Sequence, residues 1–524
     1  MSSALIKPMT EEYNDYLRDE SRSIGTADAI AFPRTHEEIV EVMKELYAQG
    51  GMVTVQGART GLAAAAVPYG GTVVNISKMN KVTGMRHENG TYYLTVQPGV
   101  VLSELKKMLS TKKFDTKQWD EASQQAYIDF CKDGEFFFSP DPTEASAVIS
   151  GMVCCNASGA RSYHYGATRG HINKLTMVLA DGRSVTVTRG VEKANGYTAE
   201  FTCNDGSKLT APIPTYQMPN TKNASGYYAA KDMDLIDILI GSDGTLGVIS
   251  EIEITLLPLP QIIWGASLLF ADEQSSLKFV DEMRATVDGV ASVEFFDSGA
   301  LDVLREQKAK NTAFSGLPVI EPWVSTVVYV ELHSDTEEQA LERLFKVGQA
   351  FEKAGGKEEN SWVARNQSDI DRLMFFRHAV PESVNMLIDQ RKQKDPTITK
   401  LGADMSVPNE YLFDVVAMYR KTLKENNLES ATWGHVGNNH LHVNVLPNNA
   451  EEYNRAKELF KTWAKAVSEM GGAVSAEHGV GKLKAAFLTI MYGEKHIDEM
   501  RAMKAAFDPK WQLGVGNLFT KKEG

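Results

Sequence analysis

The chain has 524 residues, of which 43% are apolar and 23% charged, and a net charge of −13. Such a length exceeds one ordinary core and predicts two or three domains. The acidic balance excludes general binding to a phosphate backbone, so no nucleic-acid partner is expected, but it leaves room for a local basic pocket holding a small acid. Four cysteines, Cys131, Cys154, Cys155 and Cys203, form no CxxC pair. That argues against a cysteine-held cluster or zinc and against a disulfide framework. The opening "MSSALIKPMTEEYNDYLRDESRS" lacks the charged start and apolar core of a signal peptide. No apolar run approaches the roughly 20 residues needed to cross a bilayer. The expectation is a cytoplasmic protein, with peripheral membrane attachment left open.

The first half, to about Leu259, reads as short strands broken by glycine turns: "GGMVTVQGARTG", "GGTVVNI", "YYLTVQPGV", "KLTMVLADGRSVTV" and "TLGVISEIEITLLP". Within the last, "EIEITLL" alternates charged and apolar residues and predicts a half-buried strand. Lys193 to Ala230 reads as irregular, an insertion that partly covers a site. "PLP" at Pro258–Pro260 marks a seam. Beyond it, "DEQSSLKFVDEMRATVD", "SDTEEQALERLFKVGQAFEKAGG" and "NAEEYNRAKELFKTWAKAVSEMGG" have helical spacing, and "VSTVVYVELHS" is a strand between helices. The second half therefore reads as an α+β cap on an antiparallel sheet.

Three segments concentrate small residues. In "VTVQGARTGLAAAAVP" a strand runs into Gln56-Gly57-Ala58-Arg59-Thr60-Gly61, where small side chains let backbone N–H groups approach an anion and Thr60 adds a hydroxyl. The alternative is a tight turn between strands. The segment does not fit G-x-G-x-x-G, so a dinucleotide site of Rossmann type is unsupported. "SPDPTEASAVISGMVCCNASGARSYHYG" and "ILIGSDGTLGVIS" repeat the theme; backbone so poor in side chains usually lies against something else.

Three of the eleven histidines fall inside "GHVGNNHLHVNV". Read as a strand, "HLHVNV" puts His440, His442 and Asn444 on one face and Leu441, Val443 and Val445 on the other. The loop "VGNN" can fold His435 back toward His442. With Glu477-His478 in "SAEHGVGK", imidazoles and a carboxylate make a donor set for a divalent first-row metal with positions left open. A single such histidine would more often be a buried, hydrogen-bonded residue.

Taken in order, these segments resemble the flavin-binding half of the FAD-linked oxidase family of the vanillyl-alcohol oxidase/PCMH type. "GHVG…LH" and "SAEHGVG" narrow the resemblance to the D-2-hydroxy-acid dehydrogenase branch: D-lactate dehydrogenase, D-2-hydroxyglutarate dehydrogenase and the glycolate oxidase flavoprotein subunit. It extends from "AFPRTHEEIVEVMK" to "FDPKWQLGVGNLF". The implied fold is α+β, with a PCMH-type FAD-binding domain of two α+β subdomains at 1–259. An antiparallel-sheet α+β cap with the metal site follows at 260–505, and 506–524 returns to the FAD domain.

The resemblance implies that Gly57, Arg59, Thr60, Gly61 and Leu62 cradle the FAD pyrophosphate. Pro140, Thr143, Gly151, Ala157, Ser158, Gly159 and Tyr165 lie along the cofactor, with Ile249 toward its adenine side. The first loop has no histidine, where covalently flavinylated relatives often carry one, so non-covalent FAD is implied. Further implied are His435, His442 and Glu477 as ligands of zinc, iron or manganese. His478 is the implied general base, Asn444 a substrate contact, and Arg377 in "LMFFRHAVPESV" the bidentate partner of a substrate carboxylate.

The chain departs from the family at Ala58 and Ala63–Ala65, where more glycine is usual. It departs again at Asn438-Asn439-His440, where Asp-Gly-Asn is common, which bears on support for a ligand. "KLGADMSVP" resembles a strand that often brings a lysine to the site, but the spacing from Lys400 to Asp404 does not fit D-2-hydroxyglutarate.

The activity implied is therefore oxidation of a D-2-hydroxy acid, D-lactate first. D-2-hydroxyglutarate or glycolate is the alternative, as is a metal-free FAD oxidase of the same superfamily or a flavoprotein carrier subunit. No cytochrome or iron–sulfur motif is present. Electrons are thus expected to leave to an external acceptor: an electron-transferring flavoprotein, a quinone or a partner subunit. A homo-oligomer is compatible with the reading.

Overall fold

The computed structural model describes residues 5–522. Its first half is built on two larger sheets. In one, Val53–Gln56 and Ala29–Ala31 flank Thr72–Asn75 in parallel, and Ile6–Pro8 adds an antiparallel edge. Helix His36–Gln49 closes over this sheet. It buries Ile39, Val42, Met43 and Leu46 on one face, is capped by Thr35 and ends at Gly50 with φ of 74°. The second sheet is antiparallel, in the order Val82–Glu88, Thr91–Val96, Val248–Thr255, Ile172–Val178, Ser184–Thr188.

Two expectations need correction here. "EIEITLL" is not half-buried: Val248–Thr255 is the central strand, Ile252 and Ile254 are fully covered, and Glu253 is 9% exposed. Glu253 is tolerated there because Arg86 and Asn173 hold its carboxylate. Nor is Lys193–Ala230 irregular throughout. Thr198–Thr202 and Lys208–Pro212 pair across the Asn204-Asp205-Gly206 turn, sending Ala199, Phe201, Leu209 and Ala211 into the core. The irregular chain begins after this hairpin and runs toward the candidate site.

After the seam a single antiparallel sheet organises the second half. Its path is Ser361–Ala364, Ile262–Phe270, Thr326–Ser334, Val290–Phe296, Ser430–Gly434, His440–Val445 and Leu401–Gly402, with Met405–Ser406 also paired to His440–Val445. One face carries helices Glu273–Thr286, Glu337–Lys353, Leu412–Glu425 and Ala450–Glu469 over a core that includes Phe295, Leu441, Val443 and Val445. The other face carries Ser298–Lys310 and Gln367–Lys392 over Phe296, Val327, Ala431 and Trp433. Strand alternation sends Glu294, Glu331, His442 and Asn444 to that second face. There the helices leave a strip that meets the first half.

The last helix, Ala485–Phe507, is broken at Gly493. The chain then returns to the first sheet, where Leu513 bridges Val53 and the Gln512 amide donates to Leu46 O (2.9 Å) and Gly51 O (2.6 Å). No helix of the described residues is long and apolar enough to cross a membrane.

Candidate active site

A cavity of about 260 Å³ opens between the first glycine loop, the 143–158 segment and the Asp243-Gly244 turn. Gly57, Arg59, Thr60, Gly61 and Leu62 line it on one side. Thr143, Gly151, Ala157 and Ser158 line it on another. Two observations fit an elongated polar cofactor such as FAD. A Cβ at Gly61 would meet no atom of the described residues within 4 Å, so the space in front of it is open. Ser158 is 4% exposed, yet its hydroxyl has no hydrogen-bond partner among the described residues. A buried orphan hydroxyl is costly unless a ligand satisfies it.

Backbone shape fixes the loop. Arg59 has φ of 64°, and its guanidinium turns outward onto Asp15 O (2.6 Å) and the Tyr16 ring (4.3 Å). Gly57 cannot be larger, since its Cβ would fall 2.3 Å from Val148. The alanine run is pinned from across the molecule: Lys482 N donates to Ala63 O at 2.9 Å, and a Cβ at Gly481 would sit 2.1 Å from the same oxygen. Thus the "SAEHGVGK" segment is packed directly on the glycine loop. Glu477 and His478 reach the same cavity.

At that end lies the histidine cluster. His440–Val445 is a strand with the expected alternation. A 3-10 turn at Val436–Asn438 and a left-handed Asn439 (φ 51°) fold His435 back, so its ring centre lies 5.5 Å from that of His442. Glu477 is the shared partner. Its Oε2 lies 3.3 Å from His435 Nε2 and 3.9 Å from His440 Nδ1, and its Oε1 lies 3.2 Å from His442 Nε2. The candidate ligand atoms of His435, His440, His442 and Glu477 all fall within 4.8 Å of one another. Imidazole nitrogens and a carboxylate at this span fit a divalent first-row ion.

Charged groups behind the cluster set its electrostatics. Glu294 accepts from His435 Nδ1 (2.6 Å) and from Arg377 Nε (3.0 Å). Burial acts against its charge, but His435 and Arg377 win and hold its pKa at about 2. Burial likewise opposes charge on Glu477, and Lys222 and His435 hold it well below the usual carboxylate range. Burial pushes His442 below the ordinary histidine value, with neighbouring His478 and His435 adding to the effect. Asp404 is fully buried and takes Glu477 N (3.2 Å), His478 N (3.1 Å), the Ser475 hydroxyl (2.8 Å) and the Lys484 ammonium. His478 stacks on His442 at 5.3 Å and 10°, with Nδ1 3.4 Å from Asp404 Oδ2 and Nε2 3.5 Å from Glu477 Oε1.

The structure thus gathers His435, His442, Glu477 and His478; Glu477 and His478 line the cavity, His435 and His442 stand behind them with Asn444 on the same strand face as His442, and Arg377 is joined to His435 through Glu294. Asn444 donates to His442 O at 2.9 Å. Pro140, Gly159, Tyr165 and Ile249 do not line the cavity. Ile249 is 2% exposed in the core of the first half. Gly159 packs on Asp141, whose carbonyl oxygen would be 2.0 Å from an added Cβ, and Tyr165 bonds His333 of the cap at 2.7 Å. Three residues to which the sequence reading gave no role in the site belong to the cluster. Lys222 sits 2.6 Å from Glu477 Oε2; Glu294 and Asp404 stand behind the histidines. Lys222 comes from the irregular loop, which does reach the site; only a lone lysine in "PNTKNASG" could have signalled it.

The comparisons with known proteins bear on the family and the fold. Residues 27–120 match the FAD binding domain family, and residues 259–518 match the family described as FAD linked oxidases, C-terminal domain. The chain is 26% identical to the glycolate oxidase subunit GlcD of Bacillus subtilis, over 94% of this chain and 89% of that one. It is 25% identical to a D-lactate dehydrogenase of Anaerostipes hadrus (97% and 93% covered). It is 24% identical to a D-2-hydroxyglutarate dehydrogenase of Stutzerimonas stutzeri (97% and 95%). Among solved structures, p-cresol methylhydroxylase with substrate bound superposes with a TM-score of 0.66 at 15% identity, covering 98% of this chain and 94% of that one. That likeness places the fold in the PCMH type: two α+β units and an antiparallel cap.

Proposed function

Because this chain belongs to the FAD-linked oxidases, in the D-lactate, D-2-hydroxyglutarate and glycolate dehydrogenase group, we propose that it oxidises a D-2-hydroxy acid, D-lactate first, to the 2-oxo acid. The observation that carries the reading is that Glu477 and His478 line the same cavity as the glycine loop Gly57–Leu62. The histidine cluster therefore opens onto the place where a flavin would lie.

FAD, when bound there without a covalent link, supplies the acceptor for two electrons and the C2 hydrogen. A divalent ion held by His435, His442 and Glu477, whether zinc, iron or manganese, would supply the positive charge that lowers the pKa of the substrate hydroxyl. The protein's own groups do the rest. Arg377 spends Nε on Glu294 (3.0 Å), and the Nη edge of its guanidinium takes the substrate carboxylate. Asn444, beside His442, orients the acid. His478 accepts the hydroxyl proton, a role suited to imidazole. Asp404, 3.4 Å from His478 Nδ1, fixes that ring and leaves Nε2 to take the proton.

In this reading 1–259 holds the cofactor, 260–505 brings substrate and ion, and 506–524 braces the flavin side. The reduced flavin hands its electrons to an external acceptor, for which an electron-transferring flavoprotein, a quinone and a partner subunit are the candidates.

The test is anaerobic bleaching of the flavin band by D-lactate, L-lactate, D-2-hydroxyglutarate and glycolate. Fast bleaching by D-lactate is the expected result, and a different winner among them corrects the substrate. No bleaching by any acid, with FAD and metal both bound, would overturn the hydroxy-acid reading in favour of a metal-free oxidase or a carrier subunit.

A further inference from the structure

His440 is the residue of the cluster that the proposed mechanism does not use. It opens the strand His440–Val445 and shares a face with His442, its ring centre 4.5 Å from His442 and 5.3 Å from His435. It is 0% exposed, and among the described residues its Nδ1 has no hydrogen-bond partner. Nε2 pairs with Asp404 Oδ1 at 2.9 Å, and Nδ1 lies 3.9 Å from Glu477 Oε2. An imidazole buried completely with its Nδ1 unsatisfied is a costly arrangement. It becomes favourable once a ligand occupies the space in front of Nδ1.

The setting repeats that of His435. There, Nδ1 is backed by Glu294 Oε1 at 2.6 Å while Nε2 faces Glu477 Oε2 at 3.3 Å. At His440 the two nitrogens exchange places: Asp404 backs Nε2, and Nδ1 faces the same Oε2. A carboxylate behind the ring and an open nitrogen in front is the usual environment of a metal-bound histidine. The four donor atoms of His435, His440, His442 and Glu477 lie within 4.8 Å of one another, a span that one ion with bonds of about 2.1 Å can bridge after small side-chain shifts.

We propose that His440 is a fourth protein ligand, so that the ion sits in a three-histidine, one-carboxylate site. This rests on the metal reading above and sharpens it. Four protein ligands saturate a tetrahedral ion. A 2-hydroxy acid chelating through its carboxylate and hydroxyl needs two more positions. The site therefore selects an ion that accepts six ligands, of the manganese or ferrous type, over tetrahedral zinc.

The test loads the purified holoprotein with Co2+ and counts bound imidazoles by X-ray absorption at the cobalt edge. Wild type and His440→Asn are compared, with Co2+ affinity measured against a chelating dye. Three imidazoles in wild type, two in the variant and an affinity at least about tenfold weaker are expected. Should the variant fail to fold, the wild-type count alone decides. Two imidazoles in both proteins would overturn the fourth ligand and leave the His435, His442 and Glu477 site standing. Failure of wild type to retain Co2+ at all would overturn both.

Discussion

Glu294 is buried at 2% exposure and is held between His435 and Arg377. Its pKa of about 2 against an ordinary 4.5 has a direct consequence for stability. A carboxylate whose folded pKa is depressed contributes stability that is present above the unfolded value and lost as pH falls through the folded one. The wild type should therefore lose thermal stability between pH 4.5 and 2, with Glu331, also held at about 2 beside Arg161 and His333, adding to the same limb. Glu294→Gln should flatten part of that limb and lower stability at pH 7, because it leaves Arg377 and His435 without their buried partner. Melting curves across pH check this; an unchanged acid limb in the variant would contradict it. None of this was readable in "ASVEFFDS", where Glu294 looks like one polar residue in a strand. His435, His442, Glu477 and His478 could be picked out because each pair sits within a few residues of a glycine signature. Lys222 meets Glu477 across 255 residues, and Asp404 gathers its partners from the 475–484 segment. Such pairings exist only once the chain is folded.

Among the elements, the first glycine loop separates two jobs that glycine can do. At Gly57 the protein itself leaves no room, since an added Cβ would be 2.3 Å from Val148. At Gly61 no atom of the described residues lies within 4 Å of an added Cβ, and the residue lines the cavity. Gly61→Val should therefore fold and melt within a few degrees of wild type yet purify with little or no FAD. Flavin absorbance per polypeptide together with a thermal melt measures both. Full flavin content in the variant would show that the cofactor does not pass over Gly61. The sequence located this loop correctly, as it did the strands 326–334 and 440–445, because short glycine-bounded runs and period-two alternation are local signals. It erred where tertiary burial changed the meaning of a pattern. Glu253 in "EIEITLL" reads as solvent-facing but is paired inside a central strand, and "TAEFT…KLTAP" reads as irregular although its alternation and Asn-Asp-Gly turn are those of a hairpin.

On the scale of the whole molecule, the segment 475–484 joins the two halves of the chemistry. Ser475, Glu477 and His478 are tied to Asp404 of the cap. Val480 and Gly481 then donate to Asp243 (3.2 and 2.8 Å), and Lys482 donates to Ala63 O on the glycine loop. Asn517, from the returning C-terminal chain, bonds Asp243 O (2.8 Å) and Ala65 O (3.1 Å) and so closes the same corner. The position of the candidate base relative to the flavin cavity is thus set by the packing of distant parts of the chain. The most direct test of that account is anaerobic reduction of bound FAD by the hydroxy acid that bleaches it fastest, followed by stopped flow in wild type and in His478→Ala. The account predicts that the variant keeps its FAD but reduces it slower by about 100-fold or more, the usual worth of a positioned general base. A rate close to wild type, with FAD bound, would contradict it.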